Sequence, residues 1–129
     1  MECFQLRQFF TGTDKLDRFA RHRLDGKRRT ATGIETSRFL QILAVLEKRV
    51  GIPLSKLDAY IASAGGINVS EPAVDLGIAI AIAASFRDRT VDPHTVLIGE
   101  VGLGGQVRSV SQLEQRLKEA SKLGFQRAI

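Results

Sequence analysis

A single cysteine, Cys3, is all that the 129-residue chain contains. It leaves no internal disulfide and no cysteine-based zinc site, and it fits a reducing, cytoplasmic location. No apolar run approaches the roughly 20 residues that a bilayer-spanning helix needs. Glu2, Asp14 and Asp17 break up the basic front of the chain, unlike a signal or transit peptide, so no membrane role is expected. The G-x-x-x-x-G-K-[ST] string of a phosphate-binding loop is missing as well, although Gly99, Gly102, Gly104 and Gly105 fall close together. Without a backbone nest and lysine for the phosphates, those glycines read as a turn, and no ATPase is expected within these residues. His22 and His94 stand apart, with no carboxylate or cysteine at ligand spacing, so no metal site is expected. None of Ser37, Ser55, Ser63, Ser70, Ser85, Ser109, Ser111 and Ser121 sits in G-x-S-x-G, and caps and turns explain most of them.

What remains is the composition of an ordinary soluble globular domain, 43% hydrophobic and 26% charged. A chain of this length buries roughly two thirds of its unfolded surface around a single core. The net charge is +5, and it is uneven. Residues 1–30 carry eight Lys or Arg against four Asp or Glu, whereas residues 31–129 carry eleven against ten. The front also scatters Phe4, Phe9, Phe10 and Phe19 without a period, and it ends in Lys27, Arg28 and Arg29. A boundary is therefore expected near residue 28, with residues 1–27 a divergent basic segment that packs less well than residues 28–129.

Beyond that boundary the pattern is periodic. Phe39, Leu40, Ile42, Leu43, Leu46 and Val50 recur at helical spacing opposite Arg38, Gln41 and Lys48, predicting an amphipathic helix over about 35–50 that Gly51 and Pro53 end. Alternation from Leu57 to Ser63 predicts a strand entering a turn at Gly65 and Gly66. Ser70 or Glu71 can cap a helix with Pro72 in its first turn, and the small, apolar run Val74 to Phe86 makes this the core helix, with Leu76, Ile78, Ile80 and Ile82 against the sheet. Val96 to Ile98 read as a short buried strand joined through the glycines to a second strand near Gln106 to Val110, a hairpin. Ser111-Gln112-Leu113-Glu114 has capping-box spacing and opens a helix to Lys122 with Leu113, Leu117 and Ala120 inward. After Gly124, Phe125 to Ile129 begins another strand that is expected to continue, so the domain reads as incomplete at its C-terminal end. The order predicts an α/β (α+β) domain with mixed strand pairing.

Several strings then carry a resemblance to one family. They are R-R-T-A-T-G-I (Arg28 to Ile34), L-A-V-L-E-K-R (Leu43 to Arg49), G-I-P-L-S-K-L-D-A-Y (Gly51 to Tyr60), E-P-A-V-D-L (Glu71 to Leu76), G-E-V-G-L-G-G-Q-V-R (Gly99 to Arg108) and E-Q-R-L-K-E-A (Glu114 to Ala120). From about Arg28 to Ile129 the chain resembles the Lon-like C-terminal domain of the bacterial recombination protein family RadA, also called Sms. The resemblance implies a Lon protease-like fold of the ribosomal protein S5 domain 2-like type. The family's four-cysteine zinc motif and Walker motif are not present, so ATP and zinc would belong to other parts of such proteins.

In active Lon proteases the serine lies in D-G-P-S-A-G and the lysine in G-G-L-K before a helix. Alignment on prolines and hydrophobic residues puts Ala73 at the serine position and Glu114 at the lysine position. Ala73 has no nucleophile and Glu114 cannot replace a lysine base, so no peptidase activity is expected. The resemblance further implies a hexameric ring that acts on single-stranded or branched DNA in recombinational repair and branch migration. Arg28 and Arg29 in the R-R-x-A-T-G string, and Arg38 at the helix opening, are the candidate DNA contacts, whereas Arg108 reads as decoration of an exposed strand. The competing readings are a Lon-type serine peptidase with an unaligned nucleophile, and an independent interaction module or gene remnant.

Overall fold

The computed structural model describes residues 9–12, 28–63 and 67–129. Expectations that rest on Cys3, His22, the Gly65–Gly66 turn or the packing of most of residues 1–27 lie outside the described residues.

A three-stranded sheet holds one side of the molecule. Its strands are β1 (Phe9–Gly12), β2 (Arg29–Thr32) and β3 (Ala59–Ser63), ordered β1-β3-β2. β1 runs antiparallel to β3 and β2 runs parallel to it, so the expected mixed pairing occurs within one sheet. The R-R-T-A-T segment is therefore mostly strand. Its alternation is short, and the inward positions hold Arg29 and Ala31, which read weakly as core. β1 likewise belongs to the sheet although it falls within the segment set apart by composition.

Parallel neighbours need a long crossover, which α1 (Thr36–Val45) supplies. Phe39, Ile42, Leu43, Val45 and Leu46 are buried along its inner face, as the spacing predicts. The last turn differs: Leu46–Val50 is a π-helix, closing where the Gly51 N–H donates to the Leu46 carbonyl. The wider turn rotates Val50 out to 50% exposure, and Ile52 and Leu54 fill the core in its place. At the exit of β2 only glycine fits. Gly33 has φ +73°, and a Cβ there would lie 2.0 Å from Ser63 Oγ and 2.6 Å from the Ile67 carbonyl oxygen. Its own carbonyl accepts a 2.7 Å bond from the Val69 N–H, tying the β2 exit to the approach to the next helix.

That helix is the core of the molecule. A 3-10 turn, Pro72–Val74, leads into α2 (Asp75–Phe86), where Leu76, Gly77, Ile78, Ala79, Ala81 and Ile82 are buried. Small residues between the large ones let neighbours approach on several sides, so α2 lies against β1 and α1. Ile80 is only partly buried at the margin of this cluster.

The C-terminal third pairs differently from expectation. β4 (Thr95–Val96) is not the first arm of the hairpin; it runs parallel to β7 (Arg127–Ala128). The hairpin joins β5 (Glu100–Val101) to β6 (Val107–Arg108). Gly99 separates the two strands because its backbone is engaged elsewhere, as described below. α3 (Leu113–Lys122) precedes β7. It buries Ala120 and Arg116, with Leu117 left 38% exposed.

Replacing Ile78 or Ile82 by alanine removes a side chain that is 0% or 2% exposed. Each substitution is expected to cost about 2–5 kcal/mol in chemical denaturation, whereas Ile80→Ala should cost visibly less. Equal losses at all three positions would contradict the packing described for α2.

Candidate functional site

The start of α2 is held from three directions. Asp75, in the first helical turn, is 2% exposed. One carboxylate oxygen receives Arg38 Nη1 of α1 at 2.7 Å, and the other receives the backbone N–H of Val101 in β5 at 3.2 Å. Its place near a helix N-terminus adds favourable backbone dipoles. Burial nevertheless dominates and holds the Asp75 carboxyl above the usual aspartate range, while the Arg38 and Val101 hydrogen bonds and the Arg38 charge pull the other way. Arg38 Nε is itself buried without a hydrogen-bond partner among the described residues.

Beside this pair the backbone of Gly99 closes on the same turn. Its N–H donates to the Ala73 carbonyl at 3.0 Å and its carbonyl accepts from the Leu76 N–H at 3.1 Å. A Cβ on Gly99 would meet Val107 Cγ1 at 2.8 Å, so a larger residue here would push that exposed side chain aside.

A cleft of about 540 Å³ lies between the α2 and α3 starts, lined among others by Glu71, Ala73, Glu100, Ser109, Ser111 and Arg116. The position aligned with a protease serine is therefore in a cleft, but it presents a methyl group that is 5% exposed. Glu114 is placed otherwise. Its side chain is 84% exposed and pairs with Lys118 Nζ at 2.8 Å one helical turn on.

The capping box expected at Ser111 and Glu114 does not form. The N-cap residue is Gln112, in the left-handed region at φ 56°, and no side chain caps the helix. Arg116 takes over this end of α3. Its Nε donates to the Ser111 carbonyl at 3.0 Å, and its Nη2 meets Glu71 Oε2 at 2.6 Å. With only 7% of its side chain exposed, Arg116 clamps the two helix starts together across the cleft. Glu71, offered by the sequence as a cap for the preceding helix, makes no capping bond and serves this clamp instead.

The three arginines singled out as DNA contacts occupy different settings. Arg28 is exposed, and its backbone is fixed by donation to Asp58 Oδ1 at 2.8 Å and acceptance from the Ala59 N–H at 3.0 Å. The Arg29 guanidinium turns to the adjoining turn, donating to the carbonyls of Leu57 and of Leu54, the latter at 2.7 Å. Arg38 is committed to Asp75. Arg108 is exposed on β6 and lies 3.9 Å from Glu100 across the hairpin.

Asp75 and Arg116 were not singled out from the sequence, though each leaves a trace. Asp75 is the one charge inside an otherwise apolar run, and Arg116 shares the helical face of Leu113 and Ala120. Among the described residues no group of His, Cys, Asp and Glu is placed to hold a metal ion, and no helix is long and apolar enough to cross a membrane.

These features define a mixed α/β domain in which packed helices and small sheets surround a cleft lined by Ala73 and closed over by the Arg116–Glu71 pair. A model of the family described as Subunit ChlI of Mg-chelatase matches residues 24–129, and the chain belongs to that family. Within it, the chain is homologous to proteins named DNA repair protein RadA. It is 68% identical over 102 residues to that of Synechocystis sp., covering 79% of this chain and 20% of the relative. It is 58% identical over 102 residues to that of Bacillus subtilis, covering 79% and 22%. With that of Streptococcus pneumoniae the identity is 50% over 98 residues, covering 76% and 23%. The chain thus spans about a fifth of the length of these relatives.

Arg38→Ala leaves the Asp75 carboxylate buried without its cation, and a loss of about 3 kcal/mol is expected. The pH dependence has a definite sign. Because burial raises the folded-state pKa of Asp75, the unfolded chain releases this proton at lower pH than the folded one. Stability contributed by Asp75 is therefore fully present below the ordinary aspartate value and falls as pH rises through the raised one. Asp75→Asn should abolish that slope, and Arg38→Ala should extend it upward in pH. Denaturation curves between pH 3 and roughly pH 7 that are parallel for all three proteins would refute this reading of the pair.

Proposed function

We propose that this chain is a Lon-like scaffold domain of the RadA type, of the ribosomal protein S5 domain 2-like class. In this reading it serves recombinational DNA repair and branch migration without cleaving peptides. It works by assembling into a ring, hexameric as the family resemblance implies, and by touching the backbone of single-stranded or branched DNA. Its setting is the cytoplasm, and nucleotide hydrolysis and zinc binding are functions of other regions of such proteins. The observation that carries the proposal is the 50–68% identity to proteins named for DNA repair, over a region whose aligned protease positions are Ala73 and Glu114.

Two further features support the non-proteolytic part. The Arg116–Glu71 pair spans the cleft beside Ala73, and Glu114 points to solvent with a lysine of its own helix. Of the three arginines proposed for DNA, Arg28 supplies the phosphate contact, because its guanidinium is exposed while its backbone is anchored. Arg29 and Arg38 act on the same surface indirectly, by fixing β2 and α1 beneath it.

Two measurements test the proposal. Binding of the purified chain to a labelled single-stranded oligonucleotide should weaken with salt, and Arg28→Ala should flatten the slope of log affinity against log salt by about 0.7 per bound subunit. An unchanged slope would move the phosphate contact elsewhere. In the second, Ala73→Ser combined with Glu114→Lys is expected to give no peptide hydrolysis, since a serine and a lysine alone supply neither oxyanion donors nor a substrate groove. Turnover of a fluorogenic peptide by the double mutant would show that a working protease site lies intact beneath the two substitutions.

A further inference from the structure

The sheet has two faces, and the core accounts for one of them. Ala59 and Ile61 belong to the cluster that contains the inward residues of α1 and α2, and Ala31 packs against it. Alternation along the strands sends their neighbours the other way. In β2, Thr30 and Thr32 are exposed, and in β3, Tyr60 and Ala62 are partly exposed. The register sets Thr30 beside Tyr60 and Thr32 beside Ala62. Arg28, two residues before Thr30 on the same alternation, stands exposed at the entry to this face. The outer face thus offers a cation, two hydroxyls and a phenol ring in adjoining positions.

Tyr60 is the only tyrosine of the chain, which has no tryptophan. It is half-buried, at an outward position of β3. An aromatic ring flanked by hydroxyl groups and a cation on an open sheet suits bases that are free to leave a duplex. The ring stacks on a base of any sequence, and the neighbouring polar groups meet sugar and phosphate. A duplex keeps its bases stacked internally and cannot use the ring in this way. The charge is complementary as well: Arg28 is exposed at the entry to this face, and a cation there meets the phosphate that adjoins a stacked base. The competing negative group, Asp58, is held by the Arg28 backbone N–H.

We infer that the outer face of β2 and β3 is a stacking platform for single-stranded DNA, with Tyr60 taking one base and Arg28 the adjoining phosphate. The inference rests on the DNA-contacting reading above and adds to it the form of DNA and the residue that distinguishes it.

With no tryptophan present, Tyr60 is the chain's intrinsic fluorophore. Titration of the full chain with an oligothymidylate should quench its emission, whereas the same titration with a blunt duplex should not. Tyr60→Ala should weaken oligothymidylate binding about five- to a hundredfold and leave the salt slope unchanged, because stacking releases no counterions. Tyr60→Phe should keep most of the affinity, and it also guards against a folding defect in the alanine variant. Binding with a salt slope that falls on Arg28→Ala, but without quenching and with Tyr60→Ala as tight as the parent, would overturn the platform and leave the phosphate contact standing. Equal quenching by duplex, or quenching that tracks protein concentration without DNA, would also overturn it. Absence of any DNA binding would remove the underlying reading itself.

Discussion

A carboxylate inside an apolar core persists only when both of its oxygens are matched, because an unpaired buried charge costs several kcal/mol. In this chain that constraint falls on Asp75, and satisfying it fixes three elements relative to one another. Arg38 ties α1 to the start of α2, and the Val101 N–H ties β5 to the same point. Once β5 is placed, Gly99 is pressed against the Ala73–Leu76 turn, and the wall of the cleft that carries Ala73 follows. The interaction adds direction more than net stability, since hydrophobic burial by α2 and the sheet supplies the bulk of the driving force.

The cleft built on this foundation lacks the groups of a serine–lysine site and carries a clamp instead. A serine–lysine pair needs a nucleophile and a base facing each other with positioned donors nearby. Here the nucleophile position is a methyl group, the base position is an exposed glutamate engaged with Lys118, and Arg116 joins Glu71 across the space between the helix starts. Such an arrangement favours a fixed relation between α2 and α3 over access by a substrate. That suits the scaffold role proposed for the domain.

Sequence alone made the long, strongly periodic elements legible. The helix through Phe39 and Ile42, the alternating strand at Ala59–Ser63 and the apolar helix from Asp75 to Phe86 stand where the pattern puts them, because their hydrophobic spacing matches their period over many residues. What stayed hidden depends on partners distant in sequence. β4 finds β7 across α3, so local spacing assigned the hairpin to the wrong strand. The capping signature at Ser111 and Glu114 fails because the N-cap falls one residue later, at Gln112 in the left-handed region, which puts the pair out of register. The arginines show the same limit most plainly. A guanidinium looks alike in sequence whether it faces solvent, as Arg28 does, or holds carbonyls or a buried acid, as Arg29 and Arg38 do.

This division of labour among the arginines is the centre of the account: Arg29 and Arg38 hold the scaffold, and Arg28 is the one proposed to meet nucleic acid. Nitrogen-15 spectra of the guanidinium groups, recorded before and after adding a single-stranded oligonucleotide, test it most directly. The account predicts an Arg38 Nε–H that exchanges slowly with water and keeps its resonance when DNA is added, alongside an Arg28 signal that shifts. A freely exchanging Arg38 whose resonance moves on DNA addition while Arg28 stays fixed would contradict it.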